Sequence, residues 1–230
     1  SEEEITVTIG AVDEVVEIEL VNYFIKGNIE LTKVDKDYPE NKLTGAEFEV
    51  YADTNGDGKL DKDDKLLGTM TELDGGVYQM KELRYGKYLV REKTAPTGFV
   101  LDENVYSVSI EENGKTYIVE NEAGVGFVNA AQKGSLKIVK TSSDGKIEGF
   151  SFRVTGTDGY DQTFKTDKNG EVFIEGLRIG EYTVSEVNDS VSVGYILPAD
   201  KQATVKVGAT TIVEMHNELR DTPKTGDDFN

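Results

Sequence analysis

The chain has 230 residues, with 44 acidic against 25 basic side chains, one histidine, and neither cysteine nor tryptophan, for a formal charge of −19. That acidity argues against nucleic-acid and anionic-membrane partners, which require basic surfaces, and without cysteine no disulfide, thiolate nucleophile or Cys-type zinc site can form. With 37% apolar and 9% aromatic residues a packed core is affordable in one large domain or two of about 100 residues, whereas no segment approaches the roughly 18 apolar residues of a membrane span.

The opening, Ser1-Glu2-Glu3-Glu4, lacks the basic-then-apolar character of a signal peptide; an exported protein would be represented here by a trimmed piece. Val16, Ile18, Leu20 and Asn22 share one strand parity. Val21-Asn22 precedes Gly27 with the same spacing by which Val128-Asn129 precedes Gly134. Residues 1–26 are therefore expected to be the C-terminal strand of an upstream domain, the alternative being an extra edge strand of the next one.

From Gly27 onward the chain reads as short alternating runs of Val, Ile, Thr, Tyr and Phe, broken by turn signals such as Asn113-Gly114, Asp144-Gly145 and Asn169-Gly170. The first run ends at Lys33. A second, Gly45 to Val50, leads into Asp53, Asn55, Asp57, Lys59, Asp61 and Asp64. These occupy the ligand positions of an EF-hand loop, Lys59 through its backbone carbonyl, with Gly58 at the sharp turn. Asp64 stands where a longer glutamate is usual, which weakens the grip on Ca2+. The flanks, Val50-Tyr51 and Leu66-Leu67-Gly68, read as strand, and a solvated acidic turn is the bland alternative. A bound calcium ion would stiffen the loop. No organic cofactor is expected.

The landmarks then repeat in order. Gly27–Lys33 returns as Gly134–Lys140, Gly45–Val50 as Gly149–Val154, Leu83–Glu92 as Leu177–Glu186, and Val128-Asn129 as His216-Asn217, with shorter connections in the second round. Two homologous all-β domains follow, at 27–132 and 133–220, each a sandwich of about seven strands. Gln132-Lys133 is the whole connector between them, a geometry suited to a spacer.

Strand parity exposes an anomaly. Lys33 shares a face with Ile29 and Leu31, and Lys140 with Leu136 and Ile138. Glu92 follows Tyr88 and Val90; Glu186 follows Tyr182 and Val184. Asn129 follows Phe127; Asn217 follows Val213 and Met215. Each domain thus aims one Lys, one Glu and one Asn inward, where unpaired charge costs several kcal/mol. Strand-end positions with snorkelling lysines explain one such residue but strain to explain the same trio twice. Burial lowers a lysine pKa and raises a glutamate pKa, so the pair can stand as neutral amine and neutral acid. The amine is then a nucleophile, and the acid can polarise the Asn carboxamide and relay protons while ammonia leaves. The product is a Lys–Asn isopeptide bond joining first strand to last. Asn121, at matching parity with Val119 but earlier in the chain, competes with Asn129 as acceptor.

These residues resemble a known family, the collagen-adhesin B-type (CnaB, SpaA-like, prealbumin-like) domains of Gram-positive pilins and adhesins. Lys33 looks like that family's first-strand lysine. Tyr88-Leu89-Val90-Arg91-Glu92, continuing through Ala95-Pro96 to Phe99, looks like its E-box. The resemblance implies tandem Ig-like Greek-key sandwiches end to end, with Glu92 and Glu186 catalysing bonds Lys33–Asn129 and Lys140–Asn217. The second domain departs from the pattern, having no Ala-Pro pair after Glu186.

The tail at 221–230 holds Thr222-Pro223-Lys224-Thr225-Gly226, which resembles an LPXTG-like sortase sorting signal with Thr in place of the usual Leu. By that resemblance a sortase would cut after Thr225 and join it to the cell wall or another pilin subunit. The expected protein is a cell-wall-anchored extracellular stalk or pilin segment. An adhesin binding a host matrix protein or glycan through its loops is the alternative, for which Tyr38 and Tyr160 are the candidate aromatics. A turnover enzyme is not expected, because one His and no nucleophile motif offer little catalytic chemistry beyond self-crosslinking.

Overall fold

The computed structural model describes residues 5–13 and 15–220. Apart from a short 3-10 turn at Thr157–Gly159, every regular element in them is a strand, and no helix is long and apolar enough to cross a membrane. Residues 5–13 and 15–25 carry no strand. These described residues thus form neither the expected C-terminal strand nor the alternative edge strand, and Val16, Ile18 and Leu20 are exposed. The sorting-signal-like tail, 221–230, lies outside the described residues.

The first domain comprises β1 (Lys26–Asp35), β2 (Glu47–Ala52), β3 (Lys65–Thr69), β4 (Thr71–Glu72), β5 (Val77–Arg84), β6 (Gly86–Thr94), β7 (Val105–Ile110), β8 (Thr116–Ile118) and β9 (Phe127–Asn129). One sheet runs β4-β5-β1-β8 with β9 also on β1, and the other runs β3-β2-β6-β7. The second domain comprises β10 (Lys133–Ser142), β11 (Ser151–Gly156), β12 (Tyr160–Lys165), β13 (Glu171–Arg178), β14 (Gly180–Glu186), β15 (Tyr195–Ile196), β16 (Lys201–Val205) and β17 (Thr210–Leu219). Its sheets run β13-β10-β17-β15 and β12-β11-β14-β16.

Alternation builds both cores. Ile29 and Leu31 of β1 are fully buried and face Phe48, which meets Tyr78 and Phe127 edge-on at 5.1 and 4.9 Å. Leu136, Ile138, Phe150 and Phe152 do the same for the second domain. The glycine that opens each repeat is required by close approach. A Cβ on Gly27 would lie 2.8 Å from the Lys115 carbonyl oxygen, and one on Gly134 would overlap that of Lys206.

One topological feature positions everything that follows. First and last strands pair in parallel: Lys33 lies opposite Phe127 and Asp35 opposite Asn129, while Lys140 lies opposite Met215 and Ser142 opposite Asn217. In both domains the Asn is thus two residues past the partner of the Lys, on the same face. The opposing sheet brings Glu92 beside Phe48 and Glu186 beside Phe152. The last strand of the first domain is split into β8 and β9 by residues 119–126, whereas β17 is continuous.

Candidate crosslinking sites

Lys33, Glu92 and Asn129 meet in the first domain's interior, with 0%, 3% and 2% exposure. Lys33 Nζ donates to the Phe127 carbonyl at 3.0 Å and stands 3.8 Å from Glu92 Oε1. Asn129 Nδ2 donates to both Glu92 oxygens, at 2.8 and 2.9 Å. Asn129 Oδ1 is buried without a partner. Burial pushes the Lys33 amine down from 10.5 to about 8, against the pull of Glu92, Asp102 and Asp35. Burial likewise pushes Glu92 up, opposed by hydrogen bonds from the Asp102 amide and Asn129 and by the Lys33 charge. Both shifts favour the uncharged pair.

Asp102 is a participant that the sequence reading missed. Its backbone N–H donates to Glu92 Oε2 at 2.8 Å, from the loop that follows the E-box. Its carboxylate accepts from Tyr106 and from Asn121 Nδ2, at 2.6 and 2.8 Å. Asn121 also brackets Val128, donating to its carbonyl and accepting from its N–H. The rival acceptor is therefore tied into a turn outside the Lys33–Glu92 pair. No local pattern marks Asp102, which reaches the site only because the loop folds back.

The second domain repeats the arrangement more loosely. Lys140 and Asn217 are buried, at 1% and 0% exposure, and Asn217 Nδ2 donates to Glu186 Oε1 at 2.6 Å. Lys140 Nζ instead donates to the Thr141 carbonyl at 2.6 Å and lies 4.4 Å from the Phe150 ring centre. Glu186 Oε2 and Asn217 Oδ1 are both buried and unpartnered. The absent Ala-Pro loop has a physical consequence here, since no backbone N–H matches the one Asp102 gives Glu92. Burial lowers Lys140 and raises Glu186. A proton on Glu186 would let Oε2 donate to Asn217 Oδ1, closing a cyclic acid–amide pair and satisfying both orphan atoms, each costing about 1–3 kcal/mol if left alone.

The acidic loop joins β2 to β3 as a hairpin, without flanking helices. Its side chains satisfy its own backbone. Asp53 accepts from the Gly56 and Gly58 amides, Asn55 from that of Asp57, Asp57 from that of Lys59, and Asp64 from those of Thr54 and Asp61. Gly58 takes φ 75°, as the sharp turn demands. Among the described residues no three acidic or histidine groups stand together as a metal cage. The oxygen donors suit a hard cation in kind, but in this arrangement they are not drawn together around one.

The candidate ligand-binding aromatics each have a partner within the chain, although Tyr38 is 46% exposed and both tyrosines line one surface cleft. Tyr38 lies under Arg178, 4.8 Å from its guanidinium, and Tyr160 packs edge-on to Tyr182 at 5.7 Å.

Comparison with known proteins bears on the fold. No curated protein matches. The Bacillus anthracis TIE protein superposes with a TM-score of 0.63 at 26% identity, covering 85% of this chain and 34% of that one, so the chain spans about a third of that relative. The C-terminal fragment of pilus adhesin SpaC from Lactobacillus rhamnosus GG gives 0.50 at 13% identity, covering 87% and 99%. GBS52, the minor pilin of Streptococcus agalactiae, gives 0.39 at 16%, also covering 87% and 99%. The SpaA prealbumin-like fold domain matches twice, over residues 27–123 and 134–219. With two all-β units repeating one set of landmarks, the chain belongs to the SpaA family of prealbumin-like fold domains.

Proposed function

We propose that this chain is a structural stalk or pilin-like segment of a cell-wall-anchored Gram-positive surface protein, stabilised by intramolecular Lys33–Asn129 and Lys140–Asn217 isopeptide bonds. The observation that carries the reading is the buried first-domain trio, with Lys33 Nζ 3.8 Å and Asn129 Nδ2 2.8 Å from the same Glu92 oxygen. In the reacting form the amine is neutral and Glu92 holds the proton. The Asn129 amide turns about its last torsion so that Oδ1 receives the Glu92 O–H, which polarises Cγ. Lys33 Nζ adds to Cγ, Glu92 takes a proton from the nitrogen and passes one to Nδ2, and the Cγ–Nδ2 bond breaks to release ammonia. No oxidant, metal or turnover is involved. The resulting amide is uncharged, which removes the cost of burying two ions, and it links strands near both ends of the domain so that tension bypasses the hydrogen-bonded ladder.

The sortase-signal resemblance supports covalent attachment to the cell wall or another pilin subunit through Thr225. We further propose that the 53–64 loop binds calcium weakly, drawing its carboxylates inward from their present amide bonds. The alternative, a loop-based adhesin, would rest on Tyr38 and Tyr160, which line one surface cleft beside Arg178. Intact mass measurement of the purified chain tests the central reading: two ammonia masses should be missing. A full sequence mass would overturn it.

A further inference from the structure

The junction between the two domains is centred on one side chain. Arg178, at the end of β13, donates to both carboxylate oxygens of Asp35, at 2.6 and 2.9 Å, to Asp37 at 3.1 Å and to Asp158 at 3.1 Å. Asp35 is 2% exposed. Lys133 adds an ion pair to Asp37 at 3.0 Å. Backbone bonds fix the connector: Ile179 N–H donates to Gln132 O at 3.1 Å, and Gly208 N–H to Lys133 O at 2.9 Å.

The same fittings recur at the opposite end of the first domain. Tyr85 N–H donates to Ile25 O at 2.9 Å and Gly114 N–H to Lys26 O at 2.7 Å, so Ile25-Lys26 sits as Gln132-Lys133 does. Arg84 occupies the position of Arg178 in the repeated Leu-Arg-x-Gly, and Tyr88 anchors its carbonyl at 2.6 Å as Tyr182 anchors that of Arg178 at 2.9 Å. Yet the Arg84 guanidinium meets only an aromatic ring in the described chain, Phe24 at 4.0 Å, and Tyr85 is 66% exposed.

We infer that this end of the first domain, centred on Arg84 and Tyr85, is a docking face for another domain of the same fold, whose carboxylates two and four residues past its first-strand lysine clamp Arg84 as Asp35 and Asp37 clamp Arg178. Charge complementarity and continuity with the existing junction select that occupant. The segment leading into it agrees. Thr6-Val7, Gly10-Ala11 and Leu20-Val21-Asn22 match Thr204-Val205, Gly208-Ala209 and Met215-His216-Asn217, the final hairpin of the second domain. The far end of the second domain does not continue the series, because Ser142 replaces the first carboxylate and Asp144 is taken by Ser142 and Tyr195. The clamp is therefore directional. The inference stands whether or not the isopeptide bonds form.

The test adds a domain of known sequence. Residues 27–127 are placed directly ahead of Val21, so that Val21-Asn22 completes the added copy and Arg84 of the original domain faces the added Asp35 and Asp37. A parallel version carries the Ala130–Gln132 connector in place of Tyr23–Ile25. Since the chain has no cysteine, Lys81→Cys in both copies permits spin labelling, and electron–electron resonance gives the interdomain distance distribution. A narrow distribution that broadens on Arg84→Ala in the original domain, and likewise on Asp35→Ala in the added copy, is expected. As a reference, Arg178→Ala is read between Lys81→Cys and Thr163→Cys of the natural chain. Arg84→Ala leaving the distribution unchanged with both connectors would overturn the inference; Arg84 is exposed, so its loss should not unfold the domain.

Discussion

Glu92 takes both hydrogen bonds that Asn129 Nδ2 sends inward, at 2.8 and 2.9 Å, and leaves Asn129 Oδ1 buried without a partner. A carboxylate in this position grips the wrong end of the amide for catalysis, and a carboxylic acid grips the right one. The proton on Glu92 is therefore the element to remove. Glu92→Gln preserves size and hydrogen bonding but cannot relay a proton. Its purified mass should retain one ammonia more than the parent, with Lys140–Asn217 unaffected. By analogy with a disulfide closing a loop of about 100 residues, the variant should lose roughly 4–5 kcal/mol of first-domain stability in denaturant titration. A Glu92→Gln mass that differs from the parent's only by the substitution itself would remove Glu92 from the mechanism.

Asn129→Ala leaves the amine of Lys33 free and buried, which yields a pH signature. Its folded pKa, about 8, lies below the ordinary 10.5, so the folded state resists charging. That cost is absent above pH 10.5, where the amine is neutral in both states. It grows as pH falls towards 8 and is constant below, reaching on the order of 3 kcal/mol. A parent crosslinked as proposed would have no such amine. The stability gap between parent and variant should therefore narrow as pH rises from 8 to 10.5, in denaturant titrations at each pH. A gap that stays flat would show that Lys33 is not a strained amine.

Much of this was legible in the chain because β-strand parity is strict. Ile29, Leu31 and Lys33 could not share a face without the lysine entering the core, and the repetition of that conflict at Lys140 made the strand-end reading hard to sustain. What parity could not supply was contact between elements distant in sequence. Asp102 reaches Glu92 through a loop whose path has no period, and Asp35 finds Arg178 across a domain junction. Arg178 did leave a trace in the repeated Leu-Arg-x-Gly. It was readable as a landmark, but its carboxylate partners belong to another domain. The split of the last strand into β8 and β9 did leave a signal, Gly124 and Gly126, which turn at φ 74° and 133°, but the side-chain hydrogen bonds by which Asn121 brackets Val128 carry no such mark.

Calcium provides a third test. If the ion gathers Asp53, Asn55, Asp57, Asp61 and Asp64, the first domain's thermal transition should rise on adding calcium and fall back with chelator, by about 2.7 kcal/mol at a hundredfold excess over the dissociation constant. Asp53→Ala, which also frees the Gly56 and Gly58 amides, should abolish the response. Identical melting curves with calcium and with chelator would mean that the loop is closed by its own backbone bonds alone.

The Arg178–Asp35 pair offers the sharpest energetic prediction, since Asp35 is 2% exposed and Arg178 binds it through two parallel hydrogen bonds. Removing one partner of a buried pair costs about 3–5 kcal/mol, because the other charge stays behind. Asp35 retains the Asp37 amide as a donor at 2.8 Å, which places Arg178→Ala at the lower end. Arg178→Lys should recover only part, since an ammonium cannot span both oxygens. Asp35→Asn combined with Arg178→Ala should cost less than the sum of the single changes, because Arg178→Ala alone strands the buried Asp35 carboxylate that the double change removes, whereas Asp35→Asn alone leaves Arg178 its bonds to Asp37 and Asp158. Denaturant titration of the four chains measures that coupling, and strict additivity would demote the contact from a clamp to a bystander at the junction.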